Sequence, residues 1–333
     1  MGDVVTVEQF MRFALYHPRV GYYVRHVRGV GPRGDFATAP SLSPILGIAV
    51  ARWLAGHGRG NRLFRPWHVI EVGAGDGSLA LALSNALGPL ARARLSYHIV
   101  EVSHPLREIQ MRRLRGRRFR WHDDMNAALA ACRGRATIVA NEVADAFPAV
   151  QWAWSAGRWR EVGVRLGPGH PEEVLLEPDL ERARRWCPDR VRLPGHPAEG
   201  DRFEMHLSYA EWLASWVPAL SEGAILTMDY GGENLPAQPH GSIRAYWHHQ
   251  SLRGTDAYLR PGHQDLTADV DFSDLRRWGE MQGLRTEWTG PQGEFLRRWV
   301  PDRARDSISA FLTDPAGAGG AFRVLDQRRA AVR

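Results

Sequence analysis

Residues 70–83 read IEVGAGDGSLALAL. An apolar run ends in glycines at 73, 75 and 77, Glu71 stands two residues ahead of the first of them, and a helical pattern follows at once. Glycine lets the backbone turn tightly and lets a ligand approach where a Cβ would obstruct it. The first turn of the helix then offers unpaired N–H groups to an electronegative part of that ligand. The stretch predicts a strand-to-helix turn that holds a small molecule.

The surrounding chain supplies the sheet. WHVIEVG (67–73), YHIVEVS (97–103), ATIVANEV (136–143) and GAILTMDYG (223–231) have the near-continuous apolar character of buried parallel strands. SLALALSNALGPLARA (78–93) reads as one helix, and HPLREIQMRRLRG (104–116) as another that Gly116 stops. This alternation predicts a doubly wound α/β fold with its ligand at the carboxyl ends of the strands. Residues 1–66, with helices over 6–16 and about 44–57 and a glycine-rich stretch at 29–35, read as an N-terminal helical cap. Residues 67–144 form the first part of the core, and 145–205 an insertion with a hairpin turning at Ala156-Gly157. Residues 206–333 complete the core with loops on the substrate side.

Composition narrows the class. With 333 residues, 44% of them apolar, the chain can bury a large core, and no apolar run approaches the ~20 residues needed to cross a bilayer. The start MGDVVTVEQFMRFALYHP lacks the basic, apolar, small order of a secretory signal, so a cytoplasmic location is expected. Cys132 and Cys187 are far apart and match no metal spacing, which predicts two reduced thiols and no metal. The 43 basic residues are all arginine, the mark of a coding bias rather than of chosen phosphate contacts. A net charge of +6 therefore argues little for nucleic acid, and the arginine cluster at 112–121 reads as a solvated helix end.

Nicotinamide and flavin enzymes share the strand–glycine–helix context, but their fingerprint is G-x-G-x-x-G. Here the stretch is G-A-G-D-G with Glu71 ahead of it, and the second strand ends in Glu101, whose carboxylate can accept ribose hydroxyls. That is the form of S-adenosylmethionine enzymes, whose ligand has no pyrophosphate. The alternatives are a dinucleotide dehydrogenase and a purely structural turn.

Further stretches fall in a recognisable order: FMRFALYHPRVGYY (10–23), GDFATAP (34–40), EVSHPLREIQ (101–110), ANEVADAFP (140–148), GSIRAY (241–246), PGHQDLTADVDF (261–272) and QGEFL (292–296). With them the chain resembles the MidA family of class I S-adenosylmethionine-dependent methyltransferases, over about 290 residues. The family includes a mitochondrial complex I assembly factor that methylates arginine. The resemblance implies a Rossmann-like class I sheet and S-adenosyl-L-methionine as cofactor. It implies that Gly73, Gly75 and Gly77, with Glu71 nearby, cradle the methionine end, that Glu101 takes the ribose, and that Asp123 or Asp124 with Met125 lies beside the adenine. Gly34, Asp35, Phe36 and Thr38 would close the cap over the cofactor.

Asn141, Glu142 and Asp145 stand at and just beyond the end of the strand at 136–143, where enzymes of this class meet the acceptor. A carboxylate there can hold a guanidinium bidentately, with Glu142 the first choice and Asp145 the second. Asp229, Tyr230, His263 and Asp265, with Thr267, are candidates for the acceptor wall. His248 and His249 are adjacent and would face opposite ways in an extended segment, which disfavours a metal pair. Trp152, Trp154 and Trp159 read as packing, with an aromatic clamp on a cationic substrate as the other reading. After GDFATAP the family continues with an acidic residue and a glutamine, whereas this chain has Ser41-Leu42-Ser43-Pro44, so a polar feature of the cap is missing.

The expectation is a methyltransferase acting on nitrogen, with an arginine of a protein or peptide as acceptor, no nucleic acid partner and no membrane span; a homodimer is compatible. The rivals are a methyltransferase for a small molecule or secondary metabolite and a non-catalytic assembly factor that binds the cofactor.

Overall fold

A computed structural model describes residues 4–27, 29–31, 34, 38–57, 67–116, 118–188, 197–247, 250–301 and 306–330. Asp35, Phe36, His248 and His249 lie outside the described residues. The chain forms two compact units, each assembled from separate stretches. The sheet unit holds Val27–Val143, Trp216–Tyr230 and Gly279–Arg333; the second unit holds Met1–His26, Ala144–Ser215 and Gly231–Trp278. The N-terminal stretch expected as one cap is thus shared between the two, and residues 145–205 belong with Met1–His26 and Gly231–Trp278.

In the sheet unit seven strands run β1 (Trp67–Val72), β2 (Leu95–Val100), β3 (Phe119–His122), β4 (Arg135–Asn141), β5 (Glu222–Gly232), β6 (Arg285–Pro291) and β7 (Phe322–Arg329). Their order across the sheet is β3-β2-β1-β4-β5-β7-β6. The first five pair in parallel, and β7 is antiparallel to both neighbours. The order reverses between β1 and β4, the switch point where open α/β sheets leave a crevice for ligands. The central strands are apolar on both faces because both are covered: Val69, Ile70, Ile138, Val139, Leu226 and Met228 are all fully buried.

Helix Ile45–His57 lies against helix Ser78–Ala86 so closely that a methyl on Gly47 would stand 2.5 Å from the Ala82 Cβ. The Trp53 indole N–H donates to the Asp326 carboxylate at 2.9 Å and ties that helix to β7. The run 78–93 is not the single helix its pattern suggested. Pro89 starts a new helix, Pro89–Arg94, because it lacks an N–H and holds Gly88 in an extended conformation at ψ 162.

The second unit carries the expected hairpin, with strands Val150–Ser155 and Arg158–Arg165 joined at Ala156 and Gly157, both at positive φ. Strands Val4–Thr6, Asp201–Met205 and Glu172–Leu176 extend this sheet. Trp159 packs edge-on against Trp154 and Phe203 with centroids 5.2 and 4.8 Å apart, and Trp152 is buried, so these rings build core. A smaller sheet joins Arg244–Trp247 to Gln250–Arg253 and Asp265–Thr267.

Candidate active site

The loop after β1 is built from its backbone. Gly73, Gly75 and Gly77 have φ of 60, 54 and 82, a left-handed conformation that side chains disfavour. Gly73 donates its N–H to the Val100 carbonyl at 2.9 Å, anchoring the loop to β2. A Cβ on Gly73 would lie 3.1 Å from Val143 Cγ2, so the close approach also selects glycine. Asp76 accepts from the Ser78 N–H and hydroxyl at 3.0 and 2.9 Å and pairs with Arg113, which fixes the start of the following helix.

Two buried carboxylates flank this loop. Glu71 accepts a hydrogen bond from the Tyr97 hydroxyl at 2.7 Å, and its burial pushes its pKa up to about 8. Glu101 accepts from the Ser103 N–H at 2.9 Å, from the Gln110 amide at 2.8 Å and from the Val102 backbone, yet burial still raises its pKa to about 7. A carboxylate has roughly four acceptor positions, which leaves Glu101 room for a ligand hydroxyl.

Gln110 was not singled out from the sequence, and it is the joint of this region. Its fully buried amide N–H donates both to Glu101 and, at 2.9 Å, to the Gly75 carbonyl, while its oxygen accepts from the Trp121 indole at 3.0 Å. It stands at the end of EVSHPLREIQ, one turn past Leu106, where only a spatial view shows its reach.

After β3 the two aspartates divide. Asp124 caps helix Met125–Ala131, accepting the Ala127 N–H at 2.7 Å. Asp123 is exposed and pairs with Arg107 at 2.8 Å, and Met125 is buried.

At the tip of β4, Glu142 has a φ of 54, uncommon for a residue with a side chain. Its N–H donates to the Met228 carbonyl at 2.9 Å, and its Oε1 accepts from the Ala39 N–H at 3.0 Å and from the Asn141 amide at 3.1 Å. The Asn141 Oδ1 is buried with no hydrogen-bond partner among the described residues. Asp229, near the end of β5, accepts from the Val143 N–H at 3.1 Å and the Tyr230 N–H at 2.9 Å, so its carboxylate clamps backbone just beyond β4 and within β5. Ala39 begins a short helix, Ala39–Leu42, after Thr38, and the Ser41 hydroxyl bonds the Thr38 N–H at 3.0 Å and carbonyl at 2.7 Å. The serine in place of the family's polar residue therefore closes this turn. Gly34 donates to the Gly31 carbonyl at 2.8 Å, and Val30 faces Gly75.

Asp145, His263 and Asp265 belong to the second unit. There the Tyr23 hydroxyl donates to Asp265 at 2.8 Å, Tyr16 stacks on Tyr23 with centroids 5.6 Å apart, and Tyr16 donates to the Ala146 carbonyl at 2.9 Å. Burial, with Asp265, Tyr16 and Asp145 adding to it, raises the Tyr23 pKa well above that of an ordinary phenol. The exposed ring of His263 lies against His26 at 4.3 Å, and the Thr267 hydroxyl is buried without a partner among the described residues. Tyr16 and Tyr23 lie in the FMRFALYHPRVGYY stretch, where the sequence alone gives them no role.

Residues 45–290 match the family model of S-adenosyl-L-methionine-dependent methyltransferases. The chain belongs to that family, the MidA methyltransferases. This methyltransferase is 28% identical over 341 residues to the rat protein arginine methyltransferase NDUFAF7, mitochondrial, covering 94% of this chain and 74% of the relative. It is 28% identical over 366 residues to the Drosophila melanogaster NDUFAF7 homolog, covering 96% and 80% of the two chains. A crystal structure of a likely methyl transferase of the COG1565 superfamily from Burkholderia thailandensis, bound to S-adenosyl-homocysteine, superposes with a TM-score of 0.84 at 27% identity. That match covers all of this chain and 89% of the other. The methyltransferase uses S-adenosylmethionine on a Rossmann-like α/β sheet. A glycine cradle free of Cβ atoms and a buried carboxylate with acceptor capacity beside it fit such a cofactor. Among the described residues no helix is long and apolar enough to cross a membrane.

Proposed function

We propose that the enzyme methylates a nitrogen of an arginine side chain in a protein or peptide, with Glu142 and Asn141 holding the acceptor. The observation that carries this reading is the strained Glu142 backbone, which sets a carboxylate beside an Asn141 oxygen that has no hydrogen-bond partner among the described residues, at the tip of β4. Strain of this kind persists where the surrounding structure enforces it, commonly at functional sites. A carboxylate and an amide oxygen match the planar fork of a guanidinium, which stays charged at neutral pH. The names of the rat and fly relatives support the same acceptor. A cytoplasmic setting belongs to the same proposal; the mitochondrial address is that of the relatives.

By this reading Gly73, Gly75 and Gly77 take the methionine end of the cofactor, with Glu71 beneath them. Glu101 takes the ribose, Asp123 and Met125 border the adenine, and Gly34 and Thr38 border the loop. When bound, S-adenosylmethionine supplies an electrophilic methyl on a sulfonium. The guanidinium nitrogen forms the new C–N bond as the S–C bond breaks, and the proton displaced from that nitrogen passes to Glu142 or to water. Alignment and exclusion of water are then the main contributions of the chain. Asp229 is excluded from acceptor contact in this scheme because its oxygens serve the backbone, and Asp145, His263 and Asp265, in the second unit, take no part in it.

The test is transfer from methyl-labelled donor to a lysate, read by intact mass and by acid hydrolysis of the protein fraction. Label recovered as methylarginine is expected; label confined to low-mass products would replace this reading with a small-molecule methyltransferase.

A further inference from the structure

Three neighbouring strands each carry an aromatic–histidine pair: Trp67-His68 on β1, Tyr97-His98 on β2 and Trp121-His122 on β3. In the parallel register His98 lies opposite Ile70 and Arg120, so His68 and His122 are each two residues from its level and share its face. Their rings meet in a row. His68 Nδ1 is 3.3 Å from His98 Nε2, and His98 Nδ1 is 2.8 Å from His122 Nε2. Cys132, at the end of helix Met125–Ala131, completes the group: its Sγ and the nearest nitrogens of His68 and His98 all lie within 4.8 Å of one another.

We propose that His68, His98 and Cys132 bind a thiophilic transition-metal ion, Zn2+ or Cu+. Two imidazoles and a thiolate are the donors such ions take, where Mg2+ and Ca2+ take oxygens. Two nitrogens bound at about 2.0–2.1 Å in tetrahedral geometry stand about 3.4 Å apart. The 3.3 Å between the His68 and His98 nitrogens is that spacing, and it is long for a hydrogen bond between them. The short contact to His122 positions the ring: if His98 Nδ1 carries its proton toward His122, the Nε2 lone pair is left for the ion.

Ser96 and Arg120 also face the group. The Ser96 hydroxyl is 3.0 Å from His98 Nε2, and Arg120 donates to that hydroxyl at 3.1 Å, so the Ser96 O–H is the competitor for the Nε2 lone pair and has to turn away when the ion binds. Beside a guanidinium a cation needs a compensating negative charge, which makes the Cys132 thiolate the decisive ligand. Binding exchanges the thiol proton for a metal–sulfur bond and releases that proton to solvent.

The full chain, stripped by chelator and titrated with Co2+ as the probe, is expected to take up one ion with a thiolate-to-cobalt charge-transfer band that Zn2+ or Cu+ displaces. Cys132→Ser should abolish the band and Cys187→Ser should keep it, while His122→Phe should weaken affinity by about 10–100-fold, as for other groups that orient a metal-bound histidine. Should Cys132→Ser fail to fold, alkylation of wild-type Cys132 followed by mass spectrometry decides instead, with a slowing of at least tenfold expected when Zn2+ or Cu+ is added. Absence of the band in wild type, its survival in folded Cys132→Ser, or an alkylation rate indifferent to both ions overturns the site.

Discussion

The Glu142 carboxylate accepts the Ala39 N–H at 3.0 Å from a backbone held at φ 54. A left-handed conformation costs a residue with a Cβ about 1–2 kcal/mol, so the fold keeps this side chain in place against its own stability. Glu142→Gly relieves the strain and removes the carboxylate together. A melting temperature close to that of wild type is expected, because the relieved strain offsets the lost acceptor of the Ala39 N–H, with methyl transfer reduced by about 100-fold or more. A large loss of stability in this variant would mean that the carboxylate serves the fold.

Gly75→Val places a branched side chain in the loop after β1 at φ 54, with its Cβ 3.5 Å from Val30. That distance is ordinary contact, so the backbone penalty of about 1–2 kcal/mol leaves a domain of ordinary stability folded. Calorimetry should then show S-adenosylhomocysteine binding weakened by about 100-fold or more, roughly 2.7 kcal/mol. Undiminished affinity in a folded variant would move the cofactor away from this loop.

Glu101 titrates near 7 because it is buried, despite the three donors that hold its charge. Only the ionised form accepts hydrogen bonds through both oxygens without competing as a donor. Affinity for S-adenosylhomocysteine should therefore fall as the pH drops below about 7, by up to about tenfold per unit for one linked proton. Glu101→Gln should flatten this profile between pH 6 and 8, and a wild-type profile already flat there would remove Glu101 from the ribose site.

Glu71 is raised from 4.5 to about 8, mainly by desolvation and against the pull of the Tyr97 hydrogen bond. The folded chain thus holds a proton that the unfolded chain has released across this window, and stability falls as pH rises. The contribution is complete below about 4.5 and lost as pH passes about 8. In Glu71→Gln, which stays neutral, thermal melts should lose that part of the decline. An identical pH dependence in the two proteins would place the Glu71 pKa near its unfolded value.

Near-continuous apolar runs made β1, β2, β4 and β5 and the glycine turn legible, because a strand buried on both faces must be apolar throughout. β3 was not, since Phe119–His122 lies at the end of the arginine cluster read as a solvated helix end, with Arg118 and Arg120 masking its buried Phe119. The hairpin at Ala156-Gly157 was legible for a similarly local reason, since its turn needs residues that tolerate positive φ. Long-range partners were not. Nothing near Glu142 in the sequence announces Ala39, and nothing near Gln110 announces Gly75. Cys132 has no cysteine or histidine at a metal-like spacing, because its neighbours arrive from two strands that the topology sets side by side. The partition into units was hidden for the same reason: each gathers three stretches that only the folded chain brings together.

The strand that joins β5 to β6 is the last of the seven to be synthesised, since β7 lies between them yet follows both. About 90 residues separate Gly232 from Phe322. At a translation rate of about 5–20 residues per second, β5 waits roughly 5–20 s with one side of its backbone open to any passing strand. The nascent enzyme therefore carries a sticky seam through roughly the last quarter of its synthesis, an interval in which an open strand edge is exposed to mispairing.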